Sequence, residues 1–66
     1  MEPIRILVVE DDPDFQYLIQ LSLSEHSDFA LIACCQDGES AHLTAVRERP
    51  DVVLMDLALP TDPVEG

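Results

Sequence analysis

Lysine is absent from the 66 residues, and three arginines face 14 acidic residues, so the formal charge is −11. Nucleic acids and anionic membrane surfaces are bound through cationic side chains. The charge balance therefore argues against both kinds of partner and favours divalent cations or basic protein surfaces. The hydrophobic fraction of 47% is typical of a globular chain rather than a disordered one.

Long apolar stretches and disulfide spacings are also lacking. The apolar runs at residues 6–9 and 52–55 are far too short to cross a bilayer, and the first residues show no signal peptide. Cys34 and Cys35 are adjacent, and adjacent side chains of a strand point to opposite faces, which disfavours a disulfide or a shared metal. We expect two reduced, at least half-buried cysteines in a cytoplasmic protein.

Strand and helix signals alternate along the chain. Apolar residues dominate residues 6–9, 29–35 and 52–55, a pattern typical of strands covered on both faces of a parallel sheet. A first helix is predicted to begin after an Asp12 cap and to fade near residues 25–28, and a second to span residues 39–49. Sixty-six residues allow one small α/β domain. Right-handed β-α-β-α-β crossovers predict a three-stranded parallel sheet in the order 2-1-3.

Acidic residues follow two of the predicted strands. Glu10 and Asp11 end the first strand and Asp56 ends the third, and these strands are predicted neighbours. Two carboxylates about 5 Å apart repel by about 3 kcal/mol at an effective dielectric of about 20, so a shared proton or a bound cation is expected. Oxygen ligands at a wet sheet edge suit Mg²⁺. One of these aspartates could then attack a phosphoryl group in line.

A solvated helix cap is the plain alternative for the acids of residues 10–14. Capping accounts for Asp12 and Asp14, to which we give no chemical role, but Glu10 and Asp11 precede the cap. His26 and His42 have no partner at ligand spacing and are expected at the surface.

Three segments resemble the receiver domains of response regulators: residues 6–13, the turn at residues 37–41 and the block at residues 49–60. The resemblance covers essentially the whole chain. It implies a flavodoxin-like doubly wound fold of which residues 1–66 form the N-terminal half, a partial receiver domain that ends after the third strand.

The resemblance also implies a role for each matching residue. Asp56 would accept a phosphoryl group from the phosphohistidine of a sensor histidine kinase. Asp11 and Asp56 would ligate Mg²⁺ directly, Glu10 would contribute through a water molecule, and the backbone carbonyl of Ala58 would supply another oxygen. Such a domain is a phosphoacceptor rather than an enzyme, and it would control an output, transcription above all, in the full-length protein.

Two residues of the receiver pattern have no counterpart here: a switch hydroxyl on a fourth strand and a lysine on a fifth. We therefore expect either a fragment of a longer regulator or self-association through an open edge of the third strand. Two other functions stay open. One is a half-receiver that is never phosphorylated and serves as an interaction module. The other is a Mg²⁺-dependent phosphohydrolase, whose motif residues 10–14 do not fit.

Overall fold

Three parallel strands and two helices make up the part of the chain that the computed structural model describes, residues 2–55. The elements are β1 (Ile4–Val9), α1 (Pro13–Ser24), β2 (Phe29–Cys35), α2 (Gly38–Glu48) and β3 (Val52–Met55). The strand order is β2-β1-β3, and both strand pairs are parallel. The predicted fold class and strand order are confirmed.

Element boundaries differ from the predicted ones by one or two residues. β1 begins at Ile4 instead of residue 6, because Ile4 already pairs with Phe29 and its N–H donates to the carbonyl of Asp28 at 2.7 Å. α2 ends at Glu48, and Arg49 follows in a left-handed conformation with φ 53° and ψ 62°. The next residue is proline, which keeps its predecessor out of the right-handed helical region, and a left-handed residue is a common helix ending.

Aspartate caps start both helices. The side chain of Asp12 accepts a hydrogen bond from the backbone N–H of Asp14 at 2.9 Å, as the predicted start of α1 requires. The side chain of Asp37 accepts one from the N–H of Ser40 at 2.7 Å, so α2 begins at Gly38. Each cap satisfies a backbone donor that has no partner within the helix.

The core is centred on β1. Its residues from Ile6 to Val9 are at most 3% exposed, and a cluster of Leu7, Val9, Cys35 and Ala41 packs between the sheet and α2. α1 packs mainly against β2 and contains no fully buried residue. In residues 2–55 no helix has the length and hydropathy that crossing a bilayer requires.

The adjacent cysteines are both free, as predicted. Cys35 is buried, and its Sγ lies 3.5 Å from the hydroxyl of Thr44 on α2. Cys34 is half-buried and accepts a hydrogen bond at 3.3 Å from the amide of Gln20 on α1. The two thiols therefore point to opposite faces of the sheet.

Candidate functional site

The register of β1 and β3 defines the edge at which the predicted site residues would meet. Val9 and Met55, the last residues of the two strands, are register partners. Glu10 and Asp11 follow Val9 in the sequence, and Asp56 follows Met55. Asp56 and Ala58, two of the four predicted site residues, lie outside the described residues. Two parallel strands ending at the same level support the predicted convergence, which stays a prediction.

Glu10 is the most buried polar residue of the site, with 2% of its surface exposed. Its backbone N–H donates to the carbonyl of Cys35 at 2.9 Å, which continues the β1–β2 pairing by one residue. Its Oε2 accepts a hydrogen bond from the N–H of Asp12 at 3.0 Å. A charged group is costly to bury unless it is hydrogen-bonded, and the bond from the N–H of Asp12 offsets part of that cost.

Gln16 is a contributor to the site that the sequence did not single out. Its side-chain amide donates to the backbone carbonyl of Glu10 at 3.0 Å. The first turn of α1 is thereby tied to the end of β1, and the loop between them is held at both ends. The sequence signal that could have predicted this contact is the position of Gln16 four residues after the Asp12 cap, on the side of α1 that faces the end of β1.

Asp11 and Asp12 differ in what their side chains can do. Asp12 is occupied as the cap of α1. Asp11 lies between the buried Glu10 and that cap and is exposed, so its carboxylate is accessible to a hydrated cation. This division matches the prediction, in which the cap explains Asp12 but not Asp11.

The donor set fits Mg²⁺ in kind. Mg²⁺ takes one or two carboxylates and retains several water molecules, so a buried and an exposed carboxylate on one short loop are suitable oxygen donors. Within residues 2–55 no three candidate ligands converge on one point. The third predicted carboxylate, that of Asp56, lies outside this range.

A shallow apolar cleft borders the acidic loop on the α1 side of the sheet. It is lined by Val9, Glu10, Phe15, Ile19, Leu54 and Met55. The buried Glu10 carboxylate thus lies where the apolar cleft meets the acidic edge.

An acid also lies shortly after β2, the remaining strand of the sheet. Asp37 follows β2, and its pKa is lowered from the ordinary 3.8 because the backbone N–H and hydroxyl of Ser40 donate to its carboxylate. These bonds commit the side chain to capping α2. Asp37 therefore adds negative charge to this end of the sheet, but its carboxylate already accepts hydrogen bonds from Ser40.

Comparisons with known proteins agree with the geometry. A family model described as the response regulator receiver domain matches residues 6–66. No solved structure matches the chain significantly.

Curated relatives show similarity over most of this chain. The DNA-binding response regulator MtrA of Mycolicibacterium smegmatis is 53% identical over 58 residues, covering 85% of this chain and 24% of MtrA. Protein PilH of Pseudomonas aeruginosa is 39% identical over 85% of this chain and 45% of its own. A protein-glutamate methylesterase/protein-glutamine glutaminase of Anaeromyxobacter dehalogenans is 40% identical over 88% of this chain and 17% of its own.

The chain thus spans less than half the length of each of these relatives. The family match extends over nearly all of the sequence. The chain belongs to the response regulator receiver domain family.

Proposed function

We propose that this chain is the N-terminal half of a receiver domain that accepts a phosphoryl group on Asp56 from a sensor histidine kinase. The observation that carries the proposal is the β1–β3 register, in which Val9 pairs with Met55. That pairing supports the predicted meeting of the acids after β1 with Asp56 after β3. The burial of Glu10 directly beside this edge supports it further.

The proposed reaction is an in-line displacement at phosphorus. A carboxylate oxygen of Asp56 forms the new O–P bond while the P–N bond to the kinase histidine breaks, and the departing imidazole keeps the electron pair. Asp11, Asp56 and the carbonyl of Ala58 would hold Mg²⁺ directly, with Glu10 acting through water. When bound, the ion neutralises charge on the phosphoryl oxygens. Glu10 and Gln16 hold the loop that presents Asp11.

The domain itself would be a signalling acceptor rather than an enzyme. One similar relative is named a DNA-binding response regulator and another a protein-glutamate methylesterase/protein-glutamine glutaminase. We propose that this chain controls an output of the same general kind, transcription above all, within a longer cytoplasmic protein. Its net charge of −11 makes direct binding of nucleic acid or an anionic membrane by this segment unfavourable.

The test is phosphorylation by a small-molecule donor. The full chain is incubated with phosphoramidate and Mg²⁺, and intact mass is measured. We expect a mass increase of one phosphoryl group, abolished in Asp56→Asn and by chelation of Mg²⁺. Asp12→Asn is the matched control: it removes the same charge from the acidic loop, and asparagine caps a helix as well as aspartate does. An adduct that survives in Asp56→Asn, or that needs no divalent cation, contradicts the proposal.

A second candidate function rests on the exposure of β3. Its four residues are all apolar and 40 to 50% exposed, at the edge of the described sheet. Edge strands of this kind pair readily with another chain. In this alternative the chain is an interaction module that associates with a second copy of itself and is never phosphorylated. Absence of an adduct under saturating donor, together with concentration-dependent association, would favour it.

A further inference from the structure

Arg5, near the start of β1, joins this strand to the end of α2. Its Nη1 donates to the backbone carbonyls of Glu48 at 2.7 Å and Arg49 at 2.8 Å. Glu48 is the last residue of α2, and Arg49 is the left-handed residue after it. Carbonyls at a helix C-terminus have no partner within the helix and carry its negative end, so a guanidinium is well matched to them.

The backbone of Arg5 is hydrogen-bonded to Asp51, the residue just before β3. The N–H of Asp51 donates to the carbonyl of Arg5 at 2.8 Å, and the N–H of Arg5 donates to Oδ2 of Asp51 at 2.9 Å. The first register pair of β1 and β3, Ile6 with Val52, comes directly after this double contact. The pairing of the two strands therefore starts from a polar contact.

The apolar sequence of β3 gives little other guidance to its register. Val52–Met55 has no alternation of apolar and polar residues, every residue is substantially exposed, and the main contacts of the strand are with β1. Register is weakly specified where no face is buried, and a slip by one residue shifts a strand by about 3.3 Å and exchanges its faces. A shift of that size would separate the Asp51 carboxylate from the N–H of Arg5, which now donates to it at 2.9 Å.

The Arg5 side chain is held at the end of α2 by its hydrogen bonds to the two carbonyls rather than by its ion pair with Glu48. Nη2 of Arg5 lies 3.9 Å from Oε1 of Glu48, and both side chains are about 40% exposed, so the ion pair contributes little. Arg47 lies closer to the same carboxylate, at 3.1 Å, from the surface of α2. Arg47 and Arg5 thus both lie near the Glu48 carboxylate. Of the two, Arg5 is the one that bonds the carbonyls of Glu48 and Arg49 and the residue Asp51.

We propose that Arg5 and Asp51 form a register clamp: two positioning residues that set the pairing of Val9 with Met55 at the end of β3. The clamp acts through β3 and touches no reacting atom. Its consequence for phosphorylation rests on the proposed role of Asp56, whereas its consequence for strand register does not.

The test measures strand register and reaction rate in the same variants of the full chain. Register is measured by nuclear magnetic resonance, as proton contacts between Val9 and Met55 in isotopically labelled protein. Rate is measured as adduct formation with phosphoramidate and Mg²⁺. The disruptive variants are Arg5→Ala and Asp51→Ala. The controls are Arg47→Ala, which has the same net charge as Arg5→Ala, and Asp51→Asn, which keeps a side-chain acceptor.

We expect Asp51→Ala to lose most of the Val9–Met55 contact and to react about tenfold more slowly, because small misplacements of a reacting group are costly. Arg5→Ala keeps the backbone N–H that donates to Asp51 and loses only the bonds to the end of α2, so its contact and rate should fall less. Both controls should retain the contact and react within about twofold of the unaltered chain. If Arg5→Ala loses its helical circular dichroism, the clamp is judged from Asp51→Ala alone, because Asp51→Ala leaves the bonds between Arg5 and α2 in place.

Unaltered contacts between Val9 and Met55 in Asp51→Ala would overturn the clamp, whatever the rate. An equal loss in Asp51→Asn would overturn it as well, since the acceptor is then irrelevant. If the unaltered chain forms no adduct at all, the proposed function is wrong. The Val9–Met55 contacts of the variants still show whether the clamp sets the register.

Discussion

β1 and β3 are built from nearly the same kind of residue and end in entirely different environments. The Ile-Leu-Val-Val segment of β1 is at most 3% exposed, whereas the Val-Val-Leu-Met segment of β3 is 40 to 50% exposed. β1 has a strand on each side and helices packed against the sheet, while β3 is an edge strand. Position in the sheet, rather than composition, decides how much of an apolar strand is buried.

The same difference divides the proposed site. Glu10 and Asp11 follow the most buried strand, and Glu10 takes part in hydrogen bonds with Cys35, Asp12 and Gln16. Asp56 follows the strand with the fewest neighbours. The core therefore positions Glu10 and Asp11, whereas the position proposed for Asp56 depends on the register of β3.

The largest expected effect is on stability. Leu7→Ala should lower the free energy of unfolding by about 2–5 kcal/mol, because it leaves a cavity at a fully buried position. Val53→Ala, its register partner on β3, should cost about 1 kcal/mol or less, since Val53 is already 43% exposed. Urea unfolding followed by circular dichroism measures both. Equal costs would mean that β3 is as well buried as β1, against the comparison above.

An intermediate effect is expected on self-association. Val53→Lys places a charge on the exposed β3 edge and should shift association of the chain to several-fold higher concentration, because charged edge residues oppose strand pairing. Val46→Lys makes the same charge change at an exposed position of α2 and should leave association unaltered. Light scattering across a concentration series measures the difference. Identical behaviour of the two variants would exclude β3 as the associating surface.

The smallest effect concerns the acid sensitivity of α2, one of the helices that cover β1. Because its pKa is lowered below 3.8, the Asp37 carboxylate stabilises the folded chain above that pH, and this stabilisation is lost as pH falls through the lower folded value. Asp37→Ser keeps a capping oxygen that does not titrate. The thermal midpoint of the unaltered chain should fall more than that of Asp37→Ser as the pH is lowered from about 5 through the folded pKa of Asp37. Superimposable acid profiles would show that the Asp37 bond contributes nothing.

Much of this fold could be predicted locally. The Asp12 cap, the strand at residues 29–35 and the end of the second helix before Pro50 each follow from a few neighbouring residues. The early start of β1 could not be predicted, since the pairing of Ile4 depends on Phe29, which is distant in sequence. Nor could the roles of Gln16, Arg5 and Asp51, whose partners come from other elements.

The candidate site divides in the same way. Which residues carry carboxylates, and which strands they follow, is a matter of sequence. That Glu10 is buried while Asp11 is exposed depends on the packing around the end of β1.

The order of the elements and the acidic character of the sheet edge follow from local sequence signals, because apolar runs, caps and prolines act over a few residues. Three-dimensional packing set the extent of burial of β1 and β3, whose central and edge positions the right-handed crossovers already predicted. It also decided the pairing of Val9 with Met55, since an uninterrupted apolar run permits several registers and long-range contacts select one.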